Sequence, residues 1–316
     1  MRISFLILIF LLIGIINSQG QDAKIIASAP VTDFAVANNV IFISTTKGTI
    51  ESYNLGTKKL IKKISFPKIK DFAGDLIDAE VFKIVLIGKS IYAVVHGLNG
   101  FNDIYKVDGS SKQKIINGNI IKSVVIDIEP YNGYLYLGLL SSELIKYNTA
   151  TKKVIYRKQI SNYAFSAMTM SKDGKYIFST DESGEIHKVD LSNGKVVKDY
   201  KGQNVDNVLC IDYASGIIVC GGKDRRFSVY NTYLNSAYHI STNSFVIAVG
   251  ISPSGKIAAL FDDENNNIVI YNLGTKSIVK TLKGHTSMVN KIYFTSENQV
   301  ISCSIDKQII IWKNLK

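Results

Sequence analysis

From residue 31 onward the chain is a succession of short runs in which apolar and polar residues alternate, each run closed by a polar turn. Alternation over a few residues sends successive side chains to opposite faces of an extended backbone, so each run predicts a half-buried β-strand. The turns carry hairpin chemistry. Ser171-Lys172-Asp173-Gly174-Lys175 and Ser252-Pro253-Ser254-Gly255-Lys256 are the clearest, with a glycine where the turn requires a positive φ.

The runs repeat. Strands rich in β-branched and aromatic residues end on Tyr53-Asn54, Val107-Asp108, Tyr147-Asn148, Val189-Asp190, Tyr230-Asn231, Tyr271-Asn272 and Trp312-Lys313. Successive pairs lie roughly 40 to 42 residues apart, except for a gap of roughly 54 into the second repeat, which therefore carries an insertion. Four short strands per period of this length predict an all-β fold, a seven-bladed β-propeller of four-stranded antiparallel blades. After each aligned pair comes a lysine-flanked fourth strand, as in Gly56-Thr57-Lys58-Lys59-Leu60-Ile61 and Gly274-Thr275-Lys276-Ser277-Ile278-Val279. Lysines there would blunt an exposed sheet edge. The last repeat stops after its third strand, so residues 23–29 are expected to supply the fourth and close the ring with an N-terminal strand.

The last repeat reads Gly284-His285-Thr286-Ser287-Met288-Val289, then Ile301-Ser302-Cys303-Ser304-Ile305-Asp306-Lys307, then Ile309-Ile310-Ile311-Trp312. It resembles a full WD40 repeat; tyrosine or valine replaces the tryptophan in the other six. The resemblance implies that His285, Ser302, Asp306 and Trp312 form a structural hydrogen-bonded network, a role that suits a donor-only indole, a two-way imidazole and an acceptor carboxylate. Repeat five keeps Asp224 in the corresponding turn, and repeats one and three lack an aspartate there. Blades such as Gly48-Thr49-Ile50-Glu51-Ser52-Tyr53-Asn54 and Gly184-Glu185-Ile186-His187-Lys188-Val189-Asp190 are also similar to secreted YVTN and quinoprotein-like propellers. A single tryptophan argues against the redox quinoproteins among them.

Composition adds a net charge of +11, from 37 Lys and Arg against 26 Asp and Glu. That excess favours acidic partners by long-range attraction, but the lysines are scattered through turns and do not form the stripe expected for nucleic acid. Met1-Arg2, the apolar run from Phe5 to Ile16, and Ser18-Gln19-Gly20 read as a signal peptide over residues 1–20, with the propeller over residues 21–316. The run is short for a membrane span, so no stable span is expected, although a retained anchor stays open. Either version places the propeller in the endomembrane lumen or outside the cell. Cys210, Cys220 and Cys303 allow at most one bridge. Cys210 and Cys220 flank the turn at Ala214-Ser215-Gly216 and could pair across strands, or all three could be buried thiols.

Nothing in the sequence assembles a catalytic site, a metal site or a cofactor site. His96, His187, His239 and His285 fall at different positions of the repeat, and Asp262-Asp263-Glu264-Asn265-Asn266-Asn267 lacks the spacing of a calcium loop, reading as a hairpin turn. The function expected is a non-enzymatic scaffold for a protein partner with an acidic surface. The expected binding residues are Lys70, Phe72, Phe101, Lys223, Arg225 and Arg226, which emerge on the face carrying the blade-to-blade links. A ligand-binding or enzymatic secreted propeller and a cytosolic or membrane-associated trafficking scaffold remain as alternatives. A deep central pocket lined by charges from successive blades would favour the ligand-binding reading.

Overall fold

The computed structural model describes residues 21–262 and 265–315. The expected signal peptide lies outside the described residues, as do Asp263 and Glu264 of the acidic turn. Seven four-stranded antiparallel sheets follow one another along the chain. Blade one consists of Val31–Ala37, Val40–Thr45, Thr49–Asn54 and Leu60–Ser65. The inner strands of blades two to seven are Val81–Ile87, Val125–Tyr131, Phe165–Met170, Val208–Ala214, Val249–Ile251 and Val289–Ser296. Every third strand ends on the second residue of an aligned pair, from Asn54 to Lys313. Inner strands meet in chain order, and that of blade one also packs against that of blade seven. The blades therefore form a closed ring.

The alternating pattern explains the core. Seven clusters of buried apolar side chains each bridge two neighbouring blades, so the interior is divided among the blade interfaces. Burial on both faces of a blade also explains why the second and third strands are almost continuously apolar. The outer strands are exposed, with Leu60, Ile61, Val154, Ile155, Val196 and Val197 open to solvent beside their lysines. Gly174, at φ 66°, closes the turn from Ser171 as the spacing predicted, and its missing Cβ admits the ring of Tyr131.

The ring closes through Gln21–Ile26, which pairs antiparallel with Gln308–Lys313 from Gln21 opposite Trp312 to Ile26 opposite Gln308. The strand begins two residues earlier than expected and ends three earlier, because the backbone of Ala27 bonds Lys307 and then turns toward blade one. The insertion before blade two is a small hairpin of Ile69–Lys70 and Leu76–Ile77, whose turn Asp71 caps by accepting from the amides of Ala73 and Asp75 at 2.9 Å each.

All three cysteines are free. Cys210 stands opposite Gly221 and Cys220 opposite Ile211, so the two are out of register for a bridge. The Cys220 thiol instead donates to Asn204 Oδ1 at 3.2 Å.

Candidate functional site

Antiparallel strand order sends the turns between second and third strands, and the links between blades, to one face. Three such segments converge around blade two: the inserted hairpin, the 3-10 turn Leu98–Gly100, and the short helix Gly118–Ile121. Asn117 caps that helix, and Asn99 Nδ2 donates to Asn119 Oδ1 at 2.8 Å, tying it to the 3-10 turn. Gly118 sits so close over Phe101 and the carbonyl of Asn102 that a Cβ would meet them at 2.8 and 2.5 Å. Phe101 is thus half-buried beneath the helix. Phe72 remains 85% exposed and Ile120 79%, with Leu76 and Leu98 also exposed. Lys70 stands on the hairpin and Lys122 follows the helix, both exposed.

The six expected binding residues therefore form two groups on this face. Lys70, Phe72 and Phe101 gather at blade two, whereas Lys223, Arg225 and Arg226 lie in the turn of blade five, as far away as a ring of seven allows. Within the second group the residues differ. Lys223 and Arg225 are exposed, but Arg226 turns inward, its guanidinium donating to the Gln203 carbonyl at 2.8 Å and lying 4.0 Å from Asp224. Arg226 is thus half-buried and already engaged within blade five, unlike its two exposed neighbours.

In blade seven the four network residues meet. Trp312 Nε1 donates to Ser302 Oγ at 2.8 Å, and the same hydroxyl lies 2.8 Å from His285 Nε2. His285 Nδ1 is 3.1 Å from Asp306 Oδ2, which also accepts from the amide of Thr286 at 2.8 Å. With the indole as donor and the carboxylate as acceptor, the arrangement is satisfied by the Nδ1–H tautomer, Ser302 donating to Nε2. Burial alone would raise the Asp306 carboxyl, but hydrogen bonds from His285 and from the amides of Thr286 and Gln308 hold it below the usual range. Blade five rebuilds two of these connections with other residues, while the buried hydroxyl of Tyr230 makes no hydrogen bond. Asn204 stands in for the histidine, donating to Asp224 at 3.1 Å, and Cys220 and Tyr230 occupy the places of Ser302 and Trp312. Sequence comparison found Asp224 and missed its partners, because none is of the expected residue type.

The centre of the ring is a charged cavity of about 460 Å³. Inner strands one, two, three and seven share a pattern in which a charged residue stands two positions after the first valine: Asp33, Lys83, Asp127 and Lys291. A bulge follows that valine in all four, turning the charged side chain to the cavity. Lys291 Nζ lies 2.7 Å from Asp33, and Lys83 Nζ 3.4 Å from Asp127. Asp33, Asp127 and Asp212 each accept from a backbone amide of the next blade, at Ile84, Met168 and Ile251. Burial, reinforced by Asp127, pushes the Glu129 carboxyl up to about 8. Asp212 is raised to about 6 by burial, against the amides of Ile251 and Tyr213. The repeated Val-x-Asp/Lys pattern was the available sequence signal for this cavity.

Residues 276–313 match the family described as WD domain, G-beta repeat. Periodic tryptophan protein 2 homolog of Dictyostelium discoideum is 22% identical over 275 residues, covering 84% of this chain and 28% of the relative. Pre-mRNA-processing factor 19 of Mus musculus is 33% identical over 85 residues, 25% of this chain and 17% of the relative. Ribosome biogenesis protein YTM1 of Candida glabrata is 25% identical over 206 residues, 64% of this chain and 39% of the relative. The chain thus spans well under half the length of these relatives. The crystal structure of the β-propeller domain of Cps50 (Swd1) from Myceliophteria thermophila superposes with a TM-score of 0.73 at 13% identity, over 93% of this chain and 98% of that one.

Relatives named for ribosome biogenesis and pre-mRNA processing overturn the secreted or lumenal location expected from the N-terminus. Among the described residues no helix is long and apolar enough to cross a membrane. The YVTN and quinoprotein-like reading also gives way to the repeat match in the last blade. With that repeat matched by sequence and seven four-stranded blades closed into a ring, the chain is a seven-bladed β-propeller whose last blade carries a WD40 repeat.

Proposed function

We propose that this propeller is a non-enzymatic protein-interaction scaffold that takes its partner on the blade-two rim. The observation that supports this reading most is the exposure of four large apolar side chains, Phe72, Leu76, Leu98 and Ile120, on three interlocked segments of one blade. The other turns and links of this face expose fewer, such as Val205 and Phe245, and a concentration of four is the composition of an interface anchor. Lys70 and Lys122 flank it, so the fitting partner offers an apolar segment bordered by acidic residues. Lys223 and Arg225 on blade five are a second contact, reachable by a partner broad enough to cross the face. Similarity to proteins named for pre-mRNA processing and ribosome biogenesis agrees with a scaffold.

The test is affinity capture with the wild-type chain and with a Phe72→Ser/Ile120→Ser variant, followed by direct binding of each captured protein in purified form. A true partner should lose at least about tenfold in affinity with the variant, while Arg225→Glu should have a smaller, salt-sensitive effect. Partners held equally by wild type and both variants would refute the blade-two site. A second reading, binding of a small charged ligand, is favoured by the cavity where Asp33, Lys83, Asp127, Glu129, Asp212 and Lys291 meet. Loss of ligand binding on Lys83→Met, with protein capture unchanged, would separate it from the first.

A further inference from the structure

Blade four lacks the network that ties its counterparts in blades five and seven. Val189 stands where Trp312 does, and the hydroxyl of Ser179, at the place of Ser302, has no hydrogen-bond partner. In compensation the blade carries a charged centre between its third and outer strands. Glu185 immediately precedes the third strand, and His187 within that strand stands directly opposite Asp199 on the outer strand. His187 is buried, with Nε2 2.9 Å from Asp181 and Nδ1 2.7 Å from Asp199. A neutral imidazole has one N–H. Facing carboxylates at both nitrogens, the ring is satisfied only by a second proton or by a cation on one side.

The two sides are unlike. Asp181 is buried and further fixed by the amide of Ser183 at 2.8 Å, so it holds the Nε2–H and orients the ring. The Nδ1 side is open, and there one ligand atom each from Glu185, His187 and Asp199 lies within 4.8 Å of the others. One imidazole nitrogen and two carboxylates, with the histidine oriented by a buried carboxylate behind it, make a donor set suited to zinc with one position left for water. Ligand atoms about 2.0–2.2 Å from zinc stand about 3.4 Å apart, which small side-chain rotations reach from here. At present Lys201 lies 2.7 Å from Glu185 and lends the cluster its positive charge.

We infer that Glu185, His187 and Asp199 form a divalent-metal site of the zinc class, with Asp181 as the orienting residue and Lys201 as a competitor for Glu185. The ion would join the turn, third strand and outer strand of blade four, elements that lack the tryptophan network.

The test is calorimetric titration of the chelator-stripped full chain with zinc at neutral pH, repeated with cobalt to read coordination from its visible spectrum. Saturable binding of one ion is expected, with a higher melting temperature for the loaded protein. His187→Ala and Asp199→Asn should each weaken binding at least about tenfold, Asp181→Asn by about 10–100-fold. Lys201→Ala should tighten it. Asp199 and Lys201 are exposed, so those variants keep the fold even if His187→Ala does not. Absence of saturable binding, or binding indifferent to both Asp199→Asn and Lys201→Ala, would overturn the site.

Discussion

Lys291 of the last blade reaches Asp33 of the first, Nζ to Oδ1 at 2.7 Å, so the two ends of the chain are joined by an ion pair inside the ring as well as by a shared sheet. Lys291 also donates to the carbonyl of Phe34 at 2.9 Å, and Asp33 accepts from the amide of Ile84. The pair therefore links blades seven, one and two.

Removing one member should leave Asp33 buried with one donor fewer. Lys291→Met is expected to cost about 1–3 kcal/mol, less than a fully buried pair because the lysine is partly exposed. Asp33→Asn in the same chain should recover part of that loss. Urea denaturation of the two single variants and the double variant measures it, and additive losses would show that the pair contributes nothing as a pair.

The hydroxyl of Ser302 serves both His285 and Trp312, so the three cannot act independently. Ser302→Ala should destabilise the protein by about 1–3 kcal/mol, since two buried polar nitrogens lose their partner. Trp312→Phe should then cost less in that background than in the wild type, because the indole N–H has already lost its acceptor. A double-mutant cycle with coupling near zero would contradict the shared-hydroxyl geometry.

The raised carboxyl of Glu129 gives the cavity a pH signature. With its folded value pushed up to about 8, the native protein binds more protons than the unfolded chain between the ordinary glutamate range and that value. Stability from this residue is therefore full at low pH and falls as pH rises toward 8. Glu129→Gln should flatten the fall and make the variant the more stable protein above pH 8, by about 1–3 kcal/mol after allowance for water in the cavity. Thermal melts from pH 5 to 9 would show it; parallel curves for the two proteins would mean that Glu129 titrates normally.

Much of this protein follows from local order in the sequence. Strand periodicity, turn glycines and the recurring pair ending each third strand require only neighbouring residues, and they determined the seven blades, their order and the closing strand. The position of Asp306, and the residues to which it is matched, were legible because one repeat keeps the family's residue types. Tertiary structure decided the rest, for reasons of distance. Lys70 and Arg225 share a face by strand order, but only the ring sets them three blades apart, and only side-chain packing turns Arg226 inward while leaving Phe72 out. The substitution of Asn204 and Cys220 for a histidine and a serine is invisible to residue type because different side chains can make the same hydrogen bonds. His187 acquired two carboxylate neighbours across strands, at separations of 6 and 12 residues that no local pattern announces. The central charges are the intermediate case: their Val-x-Asp/Lys pattern is written in the sequence, but its meaning depends on a bulge that turns four side chains toward one axis.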